Sequence, residues 1–266
     1  MEIRFLVLGE VDVTVDGDAL GLESVMLRGL LGTLLLHANQ FVPPHQLGLA
    51  LWDAPPASAS SNLRTYAARL RRSFALNDER VAARLLARRG SGYRLNVGPG
   101  ELDHQEFRDL TRTGRQELHK GAFAEAVDSL VRALSLWRGQ SGDDVPPRGY
   151  LAEQLRALNE SRMVATEDLV EARLALGEAA HLVTDLRTHI ARNPLRERPY
   201  GQLMRALYRS GDQSHALSVY DRLREVLDVE LGVEPGPEVQ LIHRAVLRHD
   251  DVALTTARLG QLALAA

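Results

Sequence analysis

The chain has 266 residues, is 45% hydrophobic and carries a formal net charge of −3, enough for two domains that each bury a core. It has no cysteine, which excludes disulfide staples and thiolate zinc sites and suits a reducing cytoplasm. No apolar run approaches the roughly 20 residues that span a bilayer, and an N-terminus with Glu2 and strand-like alternation is unlike a signal peptide, so no membrane partner is expected.

Residues 2–23 alternate apolar and polar side chains in IRFLVLGEVDVTV, with a turn at Asp16-Gly17-Asp18, the pattern of strands. Met26 to Ala38 is an apolar helical run that ends at Asn39, a residue suited to a left-handed C-terminal position. Pro43-Pro44 opens a second short helix, closed by Asp53 and Pro55-Pro56. Ser58, Ser60 or Ser61 can cap a third helix. In that helix Leu63, Ala67, Leu70 and Phe74 share one face, while Arg64, Thr65, Ala68, Arg69 and Arg72 share the opposite one. RLLARRGSGYRL (84–95) then suits a β-hairpin with Arg88 and Arg89 at its tip. Helix followed by basic hairpin is the plan of a winged helix-turn-helix. Gly98-Pro99-Gly100 marks a boundary.

The charge is polarised. Residues 61–94 hold nine arginines and two acids, although the chain as a whole is acidic. A helix that buries one stripe and crowds guanidinium groups on the other has an electrostatic reason to meet phosphate. An outward Arg69 can be bidentate to guanine O6 and N7, or contact phosphate only. Arg64 and Thr65 lie earlier on the face, where the helix N-terminus would enter the major groove. Arg71 and Arg72 suit phosphate clamps, with Arg71 near enough to the core face to act also as a structural pair. Tyr66 either packs or bonds phosphate. Arg89 suits a narrow minor groove, Arg88 and Arg94 complete the basic wing, and Tyr93 reads as its anchor.

Beyond residue 98 the chain reads as helical throughout. Gly121, Gly177 and Gly211 each open a similar segment, and the last two are 34 residues apart, the tetratricopeptide period. Matching apolar positions follow each glycine: Ala126, Leu182 and Ala216, then Leu130, Leu186 and Tyr220. The first interval is longer, so an insertion is expected at Gly139–Gly149, around Pro146-Pro147. The fold expected is therefore α+β, an N-terminal winged helix-turn-helix (1–97), followed by an all-α, TPR-like helical repeat domain (98–252). A weakly patterned tail, expected to be disordered, fills 253–266.

LLLHAN (34–39), ALW (50–52), RLRR (69–72), RRGSGYRL (88–95), ALSLWRG (133–139), NPLRERPYGQLMRALYRSG (193–211) and ELGVEPGPE (230–238) together resemble the Streptomyces antibiotic regulatory proteins over about 2–250. In that family an OmpR-type winged helix-turn-helix precedes a bacterial transcriptional activator domain. The resemblance implies an activator of a secondary-metabolite gene cluster. It would bind direct repeats in double-stranded promoter DNA near the −35 element, as a side-by-side dimer, and recruit RNA polymerase through the housekeeping sigma factor. It also implies a polymerase contact at the turn Asp53, Ala54, Pro55 and Pro56; the alternative is that the prolines end one helix and Asp53 caps the next. Met26 and Leu27 depart from the family, which usually places a Lys or Gln pair there.

Nothing in the sequence suggests an enzyme. The nine histidines show no metal-ligand spacing, no G-x-S-x-G elbow occurs, and the lone Lys120 precedes Gly121 where a Walker A loop needs it to follow a glycine-rich run. No cofactor, catalytic residue or receiver-type phosphorelay is expected. A helical-repeat adaptor and a ligand sensor are the rival classes.

Overall fold

A computed structural model describes residues 2–88, 90–145, 149–252 and 254. They fall in two compact units, Met1–Thr111 with Arg132–Met163, and Arg112–Val131 with Val164–Ala266. Residues 132–163 thus pack with the N-terminal part of the chain, although in sequence they follow the first repeat.

The first unit opens with an antiparallel sheet, β1 (Ile3–Leu6), β2 (Asp12–Val15) and β3 (Asp18–Ala19), in register Ile3 to Val15 and Val15 to Asp18. Asp16 and Gly17 both take positive φ in the β2–β3 turn, as a two-residue hairpin demands. Three helices follow: α1 (Val25–Leu36), α2 (Pro44–Leu51) and α3 (Ala59–Asn77). A short α4 (Glu79–Ala82) leads to the hairpin β4 (Leu85–Arg88) and β5 (Gly92–Leu95), paired from Leu85–Leu95 to Arg88–Gly92. The core beneath them is Phe5, Val13, Leu30, Leu34, Leu47, Leu63, Leu70, Phe74 and Leu95, all essentially buried.

Asn39 is left-handed, with φ of 67°, two residues beyond the His37 cap of α1. Its amide exchanges two hydrogen bonds with Val97, at 3.0 and 2.9 Å. The Gly98–Gly100 stretch is no loose linker: Glu101 accepts from Gly98 N and binds Arg84 bidentately at 2.6 and 2.9 Å, and its carbonyl accepts from Phe5 N.

Residues from later in the chain complete the N-terminal sheet. The buried Asp103 carboxylate accepts from Val7 N and Leu8 N at 3.0 Å, with Arg138 3.2 Å away. Ser141 Oγ donates to Val7 O, and Asp144 accepts from Val11 N while pairing with Arg28 at 2.9 Å. Trp137 packs edge-on to Phe107 with 5.3 Å between ring centroids. Burial without full compensation pushes the Asp103 and Asp144 carboxyls above their ordinary range.

The helices beyond are α5 (Asp103–Lys120), α6 (Phe123–Ser135), α7 (Gly149–Ala175), α8 (Ala179–Arg192), α9 (Glu197–Arg209), α10 (Gln213–Leu231) and α11 (Pro237–Arg248). Gly121, Gly177 and Gly211 sit between α5 and α6, α7 and α8, and α9 and α10, each with φ between 76 and 89°. That left-handed turn lets two helices double back where a side chain would be strained. The core of the second unit gathers Leu182, Leu186, Ile190, Tyr200, Leu203, Leu207, Leu223 and Ile242. Beside it lies a buried ionic row. Glu167 accepts from Arg196 at 2.6 Å, Asp168 from Arg115 and Arg198 at 2.7 Å, and Glu171 from Gln202 and Arg205 at 2.8 Å. The insertion expected at Gly139–Gly149 falls between α6 and the long α7 and includes residues 146–148, with Pro146 and Pro147, which lie outside the described residues. So does the tail, apart from Leu254, whose side chain is buried.

Candidate nucleic-acid interface

The third helix buries the expected stripe of Leu63, Ala67, Leu70 and Phe74, and that burial turns the opposite face outward. Arg64, Thr65, Arg69 and Arg72 are exposed there, and the three arginines make no ion pair among the described residues. The Ser58 side chain does not cap the helix; its Oγ instead accepts from the Asn62 amide at 3.2 Å. Thr65 Oγ1 donates back to Ser61 O. Tyr66 is half-buried and stacks on Trp52 at 6.3 Å between centroids, so Trp52 is a packing partner at the rim and not a core residue.

The wing is fixed by backbone. Tyr93 and Val42 exchange hydrogen bonds at 3.1 and 2.8 Å, which adds the α1–α2 connection to the hairpin. Gly92 stands so close that a Cβ there would collide with the Val42 carbonyl. Tyr93 is buried and anchors the wing; burial raises its phenol pKa, against the pull of Arg64 and Arg71 nearby. Arg88 is exposed at the end of β4. Arg89, expected at the wing tip, lies outside the described residues.

The remaining arginines of the basic stretch are engaged within the fold. Arg71 Nη2 donates to Leu85 O at 2.7 Å. Arg80 pairs with Asp78 and Arg84 with Glu101. The Arg94 guanidinium lies 4.8 Å over the Phe41 ring with its Nε buried. Arg64, Arg69, Arg72 and Arg88 are therefore the exposed arginines of this surface that no ion pair or carbonyl holds among the described residues.

The turn between α2 and α3 is exposed from Asp53 to Ser58. Asp53 does not cap α3. Its Oδ1 accepts from Gly149 N at 2.9 Å, at the first residue of α7, where the free N–H groups of a helix favour a carboxylate. Gly149 has φ of 68° and presses against the Leu49 and Ala50 carbonyls, which leave no room for a side chain. Pro55 lies against Gly48, and Ala54, Pro55 and Pro56 face solvent.

Two family models match the chain: the C-terminal model of transcriptional regulatory proteins over residues 25–95, and the bacterial transcriptional activator domain over 102–247. The chain belongs to the Streptomyces antibiotic regulatory proteins. It is similar to the transcriptional regulatory protein MoaR1 of Mycobacterium tuberculosis, 36% identical over 92% of this chain and 79% of that one. It is 35% identical to the regulatory protein DnrI of Streptomyces peucetius over 84% of each, and 37% identical to the regulatory protein AfsR of Streptomyces coelicolor over 93% of this chain but 24% of AfsR. A solved structure of Mycobacterium tuberculosis EmbR with a low-affinity phosphopeptide superposes with a TM-score of 0.87 at 29% identity, covering 99% of this chain and 70% of EmbR. MoaR1 is a transcriptional regulatory protein by name and DnrI and AfsR are regulatory proteins by name, and the winged helix-turn-helix followed by an all-helical domain is the fold of the family. No helix among the described residues is long and apolar enough to cross a membrane, and no group of three or more His, Cys, Asp or Glu there could hold a metal.

For this regulatory protein the sequence did not single out Asp103, Arg138, Ser141 and Asp144 as completing the winged unit. Apart from the Arg138–Asp103 pair, 35 residues apart, their partners lie about a hundred residues away or more, beyond any periodic signal. The acid at the start of α5 was the one local hint.

Proposed function

We propose that this chain is a sequence-specific DNA-binding transcription activator of a secondary-metabolite gene cluster, working in the cytoplasm on double-stranded promoter DNA. The observation that carries the reading is the outward face of α3, where Arg64, Arg69 and Arg72 stand exposed without ion pairs beside an exposed Arg88. Unpaired guanidinium groups on a helix with one buried stripe lose little on meeting phosphate and gain counterion release. Arg69 reads a guanine edge, Arg64 and Thr65 sit near the groove entry, Arg72 and Arg88 bind backbone, and Arg89 enters a narrow minor groove. Tyr66, Arg71 and Arg94 support the interface by packing, since each already has a partner within the fold.

The functional division we propose is 1–97 for DNA and 98–252 for activation. Two copies lie side by side on direct repeats near the −35 element, and the turn Asp53–Pro56 touches the sigma subunit of RNA polymerase. Exposure of that turn and the family of regulators support this. Gel shifts with the chain's own upstream DNA test the reading: a specific complex, lost on Arg69→Ala and retained on Glu125→Ala, is expected. Absence of any complex at low salt overturns it.

A further inference from the structure

The segment that closes α10 and forms α11 divides sharply by charge. Residues 228–238 contain four acids and no base, and residues 239–249 contain two arginines, two histidines and no acid. Residues 228–234 are all exposed, and Val229, Leu231 and Val233 show 75, 57 and 48% of their surface. Gly232, left-handed at φ 67°, donates to Asp228 O at 2.9 Å and stops α10 there. Asp228, Glu230 and Glu234 are interspersed in sequence with the three aliphatic residues, and Arg224 is paired with Glu234. The result is an acidic, apolar knob.

The outer side of α11 is its opposite in charge. Leu241, Arg244, Leu247 and Arg248 recur at helical spacing and are all exposed, Leu247 by 52%. Neither arginine has an ion pair among the described residues. Beyond the stripe, Asp250 N bonds back to Ala245 O, and Asp251 accepts from Tyr208 OH. Pairing of α11 with α10 holds the stripe rigid. Gln213 Nε2 donates to Val246 O at 3.0 Å, and Tyr220 stacks on His243 at 3.9 Å.

We propose that the knob of one copy seats on the α11 stripe of a second copy, a head-to-tail contact between identical chains. Both surfaces expose branched or long aliphatic side chains, and their charges are of opposite sign. Each chain carries one of each, which is what a heterologous contact requires. Such a contact repeats by translation, as direct repeats do, so the proposal deepens the side-by-side reading above and rests on it.

Sedimentation velocity on the whole chain, without DNA, tests the contact. The expected result is association that grows with protein concentration and weakens with salt. Leu231→Asn and Leu247→Asn should each weaken it at least tenfold; both positions are more than half exposed, so neither change threatens folding. Mixing the two variants should restore association, as one-to-one pairs, because each supplies the surface the other lacks. A wild type that stays monomeric, variants that associate like wild type, or a mixture that stays monomeric overturns the proposal. Gel shifts on the chain's own promoter DNA are read separately. DNA binding without association sinks this contact alone, and association without DNA binding sinks the DNA reading alone.

Discussion

Arg71 Nη2 donates to the Leu85 carbonyl at 2.7 Å, so one arginine of the basic helix holds the first strand of the wing against it. Its neighbour Arg72 has no such partner. Arg71→Ala should therefore lower stability by about 1.5–3 kcal/mol, the range for a hydrogen bond to a charged group. Arg72→Ala should leave the melting curve unchanged and weaken DNA binding alike on all sequences. Chemical denaturation and gel shifts on specific and random duplexes measure the two effects. Equal stability of both variants would break the distinction.

The arginines offered to solvent set the salt dependence. With Arg64, Arg72 and Arg88 each neutralising one phosphate and Arg69 at a base edge, log K should fall with log salt at a slope of roughly −3. Arg72→Ala should reduce that slope by about one, whereas Arg84→Ala, whose guanidinium is held by Glu101, should leave it alone. Fluorescence anisotropy across a salt series decides. A slope near zero removes the electrostatic basis of the interface.

Asp53 stands where two roles meet, an acceptor at the start of α7 and a negative charge on an exposed turn. Asp53→Asn keeps an acceptor oxygen and removes the charge, while Asp53→Ala removes both. If the charge touches polymerase, both variants should lower transcription from a reconstituted promoter with operator affinity kept, and Ala alone should cost stability, about 1 kcal/mol. Asn transcribing like wild type would assign the residue to the fold.

His104 supplies a pH dependence. Burial, aided by Arg108, lowers its pKa from 6.5 to about 4. Between those values the unfolded chain binds more protons than the folded one, so stability is present above pH 6.5 and is lost as pH falls toward 4. From pH 7 to 5 the loss should be roughly 2 kcal/mol. The Asp103 and Asp144 carboxyls, pushed up by burial, act in the opposite sense, so the comparison is with His104→Gln, which should flatten the wild-type decline. Identical pH profiles of the two proteins would remove the assignment.

The third helix and the wing were legible in the sequence because their signals are local. Leu63, Ala67, Leu70 and Phe74 recur at helical spacing, and the glycines of the repeat mark turns that only a positive φ allows. Which arginines stay free was not legible. Arg71 lies near the core face in the helical pattern, but Arg80, Arg84 and Arg94 look in sequence like Arg69 and Arg72, and only tertiary partners, two carboxylates and an aromatic ring, set them apart. The docking of residues 132–163 on the winged unit was equally silent, since one buried carboxylate facing two backbone N–H groups leaves no periodic trace.

The acceptors that complete the N-terminal sheet come late in the chain, Asp103 for Val7 and Leu8 and Asp144 for Val11. A ribosome delivers the first strands long before these side chains exist. At roughly 5–20 residues per second, the stretch from the end of the wing to Asp144 takes about 3–10 s to make. Through most of that interval Asp103 has already arrived, and the Val11 donor still lacks its Asp144 acceptor. Ribosome-arrested chains with Asp144 still inside the exit tunnel should be cut readily by protease, and those that have released it should resist, so the first half of this protein matures only on the arrival of the second.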